Sequence, residues 1–311
     1  MADYHETIRS GRSQAPYSLP VTTRLGHVHL TVANLDRQLA FYRQVLNMQI
    51  HWRNGASAAL GAGEHDILRL TEVPGARRPP RATGLYHFAL QYPSRRELAR
   101  ATARLFELDY PSAPTDHTVS ESIYVEDPEG QTIELYILTL QRGRIEVVND
   151  QLLAVRSDGK PATGRDPLDV DDLLGELAAG EPLDLPLPRG TSLGHVNLWT
   201  ANIIHEMNFF HDVLGFMKGP MSISAQMAEV GLSPELPHII PFNAWQGEGA
   251  PPAPPGSIGI RYFTIVLPDQ GELERVLARV RSQGIETEET TQGTLVRDPA
   301  QIGIILTTSR D

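Results

Sequence analysis

Ser192-Leu193-Gly194-His195-Val196-Asn197-Leu198-Trp199-Thr200-Ala201-Asn202 closely repeats an earlier stretch, Arg24-Leu25-Gly26-His27-Val28-His29-Leu30-Thr31-Val32-Ala33-Asn34. Both read as alternating strands that run into a turn and a helix start. The helices behind them match as well, with Met207-Asn208-Phe209-Phe210-His211-Asp212-Val213-Leu214-Gly215 echoing Leu39-Ala40-Phe41-Tyr42-Arg43-Gln44-Val45-Leu46-Asn47. An internal repeat of this length decides the architecture before any other feature is weighed.

Working outward, each copy is followed by a second kind of unit. In the first half this begins Gly84-Leu85-Tyr86-His87-Phe88-Ala89-Leu90 and continues with an amphipathic helix over Ser94 to Leu108. Strands over Ser122 to Val125 and Thr132 to Ile137 then flank the turn Asp127-Pro128-Glu129-Gly130, whose Pro and Gly suit a tight reversal. In the second half the corresponding unit opens Gly259-Ile260-Arg261-Tyr262-Phe263-Thr264-Ile265-Val266-Leu267-Pro268, with a helix over Glu272 to Arg281. Matching Pro268 to Pro93 puts Tyr262 where the second unit has His87. Matching Asp298-Pro299 to Asp127-Pro128 puts Ile305 where it has Glu134. Four strand–helix–strands units follow, first like third and second like fourth. Such a sheet cannot bury both faces alone, so the units must pair around shared cavities.

The expected organisation is a polar arm over 1–21 with little to fix it, two units in sequence over 22–140, a linker over 141–190, and two more units over 191–311. The linker is long for a connection inside a compact domain and carries one short helical segment, Asp169 to Ala179.

Composition narrows the function. With 41% hydrophobic and 21% charged residues the chain is of ordinary globular type, and no apolar run has the length of a membrane span. Residues 1–20 lack the apolar centre of a signal peptide, so the cytoplasm is the expected compartment. Zero cysteines exclude disulfides, thiolate nucleophiles and sulfur-ligated metals, so any metal is held by nitrogen and oxygen. A net charge of -11 argues against nucleic acid and anionic membranes as partners. The arginines from Arg77 to Arg104 read as a solvated helix face and a Pro-rich turn.

The chemistry concentrates on two apolar runs, each holding one metal-competent side chain, His87 and Glu134. A buried glutamate is costly unless paired or bound to metal. One further histidine would complete a two-His-one-carboxylate set, which suits non-haem Fe(II) and dioxygen chemistry. His27 and His195 occupy equivalent strand positions, so the choice depends on which units pair. His5, His29, His51, His205 and His211 are read as structural, and His65 likewise.

These motifs resemble the vicinal oxygen chelate superfamily of paired βαβββ modules, and within it two-domain bacterial catechol 2,3-dioxygenase-like extradiol proteins. The likeness rests on the Gly-His-Val starts, the Phe-Tyr and Phe-Phe helix segments, Asp127-Pro128-Glu129-Gly130-Gln131-Thr132-Ile133-Glu134-Leu135-Tyr136, Asp116 to Tyr124 and Asn243-Ala244-Trp245. It implies an α+β fold of four βαβββ modules in two half-barrels. It also implies Fe(II), or Mn(II) or another divalent metal, held by His87, Glu134 and His195, with His27 as the alternate. The implied reaction is ring cleavage of a catechol-type aromatic diol by dioxygen, as in aromatic compound catabolism. By the same resemblance His238, His117 and Tyr124 would be catalytic pocket residues, the segment around His238 being poorer in histidine than is common in the group. Trp199, Asn243, Trp245 and Tyr262 would line an aromatic pocket. A glyoxalase-like isomerase or lyase and a small-molecule-binding resistance-type protein are the alternatives, and a homo-oligomer stays open.

Overall fold

The computed structural model describes residues 17–308. In the first module β1 (Arg24–Val32) leads through α1 (Leu35–Gln44) to β2 (Gln49–Asn54), β3 (Ser57–Ala62) and β4 (His65–Glu72). The second runs β5 (Gly84–Gln91), α2 (Arg95–Glu107), β6 (Ala113–Asp116), β7 (Ser120–Glu126) and β8 (Thr132–Leu138). Asn34 and Ser94 start the two helices, their side chains accepting the backbone N–H of Arg37 and Glu97.

The connector holds β9 (Gly143–Val148), β10 (Gln151–Arg156), β11 (Pro161–Ala162), β12 (Asp166–Pro167) and α3 (Val170–Leu174), a helix shorter than the sequence suggests. The third module comprises β13 (Ser192–Trp199), α4 (Ile203–Asn208) continued by a π-helical segment over Phe209–Leu214, β14 (Met217–Ser222), β15 (Met227–Gly231) and β16 (Ile240–Asn243). The fourth has β17 (Gly259–Leu267), α5 (Gln270–Ser282), β18 (Glu288–Thr290), β19 (Gly293–Arg297) and β20 (Gly303–Thr308). The fold is the α+β arrangement of four βαβββ modules that the repeat implies. Among the described residues no helix is long and apolar enough to cross a membrane.

Pairing does not follow chain order. β1 joins β17 antiparallel, giving an eight-stranded sheet from the first and fourth modules, ordered β18-β19-β20-β17-β1-β4-β3-β2. β5 joins β13 antiparallel, giving a nine-stranded sheet from the second and third, ordered β12-β6-β7-β8-β5-β13-β16-β15-β14. Each sheet therefore takes one module from 22–140 and one from 191–311.

Alternation along the strands assigns the two faces of the nine-stranded sheet. Phe88 and Leu90, Ile133 and Leu135, Ile123, Val196 and Leu198 form the buried helix-side face and belong to one hydrophobic core. The opposite, concave face collects His87, Glu134, Ser122, Tyr124, Tyr136, His195 and Asn197. Cross-strand neighbours His87 and Asn197, Ala89 and Glu134, and Tyr124 and Glu134 share that face.

The connector is folded onto this sheet. β12 extends its β6 edge, and Asp150, in the turn between β9 and β10, accepts the backbone N–H groups of Ile223 and Ser224 after β14, at 2.6 and 2.7 Å. It thus links both edges of the half-barrel. Glu121, buried on β7, receives Arg95 of α2 at 2.8 Å and Arg142 of the connector at 2.5 Å. The described end of the N-terminal arm is also docked. Leu19 is buried and donates its N–H to the Gly215 carbonyl at 2.8 Å, Tyr17 hydrogen-bonds Glu272, and Arg279 lies 4.5 Å from the Tyr17 ring. His5 lies outside the described residues.

Candidate metal centre

Sheet pairing brings the two histidine-bearing strands together, and Glu134 follows from the strand beside β5. The Nε2 atoms of His87 and His195 are 3.0 Å apart, and each is 3.1 or 3.0 Å from Oε2 of Glu134. All three side chains are buried, with 2 to 5% of their surface exposed. Among the described residues this is the group of His and carboxylate side chains close enough to hold one ion.

Protonation fits such a role. Burial lowers His195 to about 3 against the opposing pull of Glu134, which leaves its ring neutral with an available lone pair. Burial pushes the Glu134 carboxyl upward, but the two imidazoles outweigh it and hold the group well below the usual carboxylate range. Two imidazole nitrogens and a carboxylate oxygen face one another across about 3 Å, a donor set that a cation among them would satisfy. Adjacent corners of an octahedron with bonds of about 2.1 Å are separated by about 3 Å, so the donor set fits one face of a six-coordinate divalent metal.

Packing rather than hydrogen bonding orients the imidazoles. The Nδ1 atoms of His87 and His195 are buried without a hydrogen-bond partner among the described residues. Tyr136 packs edge-on against His195 with ring centroids 5.0 Å apart, and Tyr86 and Tyr124 flank His87 at 5.0 and 5.7 Å. Glu134 is steadied through its other oxygen, Oε1, which accepts the Ser122 hydroxyl at 2.6 Å.

Three further residues flagged in the sequence converge here. The His238 ring lies 4.6 Å from that of His195, and its Nδ1 donates to Glu229 at 2.5 Å. Burial would lower the His238 pKa, yet the Glu229 carboxylate reverses this and raises it. His117 donates Nδ1–H to the Gly164 carbonyl at 2.6 Å, which leaves Nε2 to accept the Tyr124 hydroxyl at 2.9 Å. Burial first, and Glu134 next, raise Tyr124 well above its ordinary value, so the phenol keeps its proton.

Aromatic rings form the adjoining wall. Tyr86 meets Trp199 at 5.4 Å and Trp245 at 5.6 Å, and the connector's Arg165 lies 5.8 Å from the Trp245 ring. Asn243 donates to Asn197 at 3.0 Å on the same sheet.

His27 and Tyr262 belong to the other sheet. There Tyr262 pairs with His29 as His87 pairs with Asn197, and Thr264 pairs with Ile305 as Ala89 pairs with Glu134. His27, Tyr262 and Ile305 thus hold the places that His195, His87 and Glu134 hold in the nine-stranded sheet. The alternate ligand His27 is separated from the cluster because β1 pairs with β17. Its backbone N–H donates to Thr264 at 2.7 Å and its ring stands edge-on to Tyr262. Tyr262 does not line the aromatic wall around His87, as the sequence suggested, and instead bonds Gln292 at 2.9 Å. His29, His51 and His211 have ordinary structural partners in Thr71, Asp66 and the Phe216 carbonyl.

Sequence reasoning passed over Glu229, Ser122 and Tyr136. Ser122 and Tyr136 share the alternation that exposes Glu134 on the concave face, a legible signal. Glu229 has no motif of its own and reaches His238 through the pairing of β15 with β16.

Comparison with known proteins agrees with this architecture. The chain is 36% identical over 287 residues to the catechol-2,3-dioxygenase of Bacillus subtilis, covering 91% of this chain and 96% of that one. Residues 24–135 match the Glyoxalase/Bleomycin resistance protein/Dioxygenase superfamily. The chain belongs to that superfamily. Another superfamily relative, biphenyl-2,3-diol 1,2-dioxygenase 3 of Rhodococcus globerulus, is 32% identical over 124 residues, 38% of this chain and 65% of the relative. Glyoxalase I of Zea mays shares the superfamily fold with a TM-score of 0.54 at 15% identity, covering 92% of both chains.

Proposed function

We propose that this protein is an extradiol dioxygenase that opens a catechol-type aromatic diol beside its hydroxyl groups, with a divalent metal held by His87, Glu134 and His195. Fe(II) is the metal favoured, with Mn(II) next, since two imidazoles and one carboxylate on a single face suit non-haem iron and leave positions for reactants. The observation that carries the reading is the equal spacing of the three buried donor atoms, 3.0 to 3.1 Å, beneath an aromatic wall. The 36% identity to a catechol-2,3-dioxygenase across nearly the whole chain supports it.

When bound, the metal supplies positive charge for the deprotonated diol and a redox-capable meeting point for diol and dioxygen. The chain's own groups do the rest. Tyr86, Trp199 and Trp245 offer ring faces against which a flat substrate packs. With Nδ1–H directed to Glu229, whose carboxylate strengthens the ring as a base, His238 in its neutral form has Nε2 to accept a proton from the incoming diol and return it later. Tyr124, kept protonated by burial, has a single O–H that rests on His117 Nε2 and would turn from it to donate to oxygen charge that develops during ring opening. The connector, anchored at both sheet edges, sets the Gly164 carbonyl against His117 and Arg165 against Trp245 on this face.

The test is an oxygen-electrode assay of the Fe(II)-loaded protein with catechol and substituted catechols. Stoichiometric oxygen uptake with a yellow ring-opened product is the expected result. Absence of uptake across the series overturns the reading and turns attention to isomerase or binding chemistry of the same fold.

A further inference from the structure

A cavity of about 550 Å³ opens where one end of each sheet meets the proline-rich loop before β17. It is distinct from the metal centre. Arg78 from the linker between the first two modules, Arg261 from β17 and Arg297 from β19 all line it, and no aspartate or glutamate does. Trp199, Leu85 and Ile260 provide apolar wall.

Among the described residues these three arginines have no direct ion-pair partner, although Arg297 acts electrostatically on the adjacent Asp298. Arg297 donates to the Gln301 carbonyl at 3.2 Å and Arg78 to the Glu129 carbonyl at 3.4 Å, while Nε of Arg78 is buried with no partner. By contrast Arg37, Arg95, Arg96 and Arg142 each engage a glutamate. In a chain of net charge -11, three like charges gathered from separate segments repel one another, and an anion among them relieves that repulsion. Guanidinium groups also match carboxylate and phosphate geometry.

We propose that this cavity binds a small polyanion with a flat apolar body, its carboxylates or phosphates taken by Arg78, Arg261 and Arg297 and its ring by the wall around Trp199. The site does not depend on the reaction assigned to the metal centre. Trp199 is shared by the two regions, since its ring lies 5.4 Å from Tyr86, which packs on His87.

Isothermal titration of the full chain with benzene-1,3,5-tricarboxylate and with ADP tests this, with uncharged adenosine as comparator. Saturable binding of either anion with Kd below ~1 mM is expected, weakening as salt rises. Binding of the tricarboxylate alone assigns a carboxylate ligand and binding of ADP a phosphate ligand. Arg261 and Arg297 are exposed, so Gln substitutions at both spare the core. The Arg261→Gln/Arg297→Gln variant should bind the anion at least about tenfold more weakly, and the corresponding Lys variant should recover part of the loss. His195→Ala should bind it as the parent does. No saturable binding of either anion, equal affinity in the Gln variant, or loss of binding in His195→Ala overturns the proposal.

Discussion

The backbone of Gly194 lies directly against the hydroxyl end of Tyr136, where an added Cβ would overlap the phenol oxygen. Tyr136 in turn packs on the ring of His195. The missing side chain therefore lets Tyr136 hold the imidazole that the next residue supplies. Gly194→Ala should weaken metal affinity by about 10- to 100-fold, the usual effect of disturbing groups that orient a ligand. At the matching place in the first module, Gly26→Ala meets the Thr264 side chain instead. It should cost about 1–3 kcal/mol of stability and leave metal affinity unchanged. Competition with a metal indicator and urea unfolding of both variants distinguish the two effects, and equal metal affinity in Gly194→Ala and the parent would contradict the first.

His238→Gln and Tyr124→Phe remove the proposed proton-handling groups and leave His87, Glu134 and His195 in place. Each should retain its metal, while His238→Gln lowers kcat by about 10²–10⁴. Metal analysis alongside steady-state kinetics checks this. A kcat within about twofold of the parent would assign His238 to the wall only.

Glu206 and Asp298 form a buried acidic pair beneath the ends of α4 and β19. Oε1 of Glu206 accepts the Thr200 hydroxyl at 2.8 Å and Asp298 accepts the Ile302 N–H at 2.7 Å, while one oxygen of each has no partner. Burial, then Asp298, raises Glu206 well above the usual range, and burial raises Asp298 to about 7. Folded-state values above the unfolded ones mean that the folded chain holds protons the unfolded chain releases. This stability is fully present below the ordinary carboxylate pKa near ~4 and is lost as pH rises through about 7. The loss approaches ~1.4 kcal/mol per pH unit for each proton retained. Glu206→Gln should flatten the decline seen in urea unfolding between about pH 5 and 8. An unchanged slope would contradict the assignment.

Glu121 is shared by Arg95 and Arg142, which tie α2 and the connector to β7. Because Glu121 is buried, losing both arginines strands its charge at a cost of about 3–5 kcal/mol. Either single Ala variant leaves Glu121 one partner, so each should lose less than half of the stability that the double variant loses. Chemical denaturation of all three measures the coupling, and simple additivity would count against a shared anchor.

The modules were legible because alternation and the Gly-His-Val repeat record local burial. Of the centre, His87 and Glu134 were legible as metal-competent side chains isolated in apolar runs. The third member was not fixed by residue pattern, since His27 and His195 stand in equivalent strands and only the β5–β13 junction separates them. The connector strands lack a repeating apolar period, being mostly half-exposed, which is why β9 to β12 were read as linker. The gathering of Arg78, Arg261 and Arg297 depends on three distant segments meeting, and neighbouring sequence carries no trace of that.

Fe(II) stoichiometry after anaerobic loading tests the central claim, a single metal centre built from the second and third modules. Parent and His27→Ala should each bind one equivalent, and His195→Ala should lose it. Retention by His195→Ala together with loss in His27→Ala would contradict the centre described.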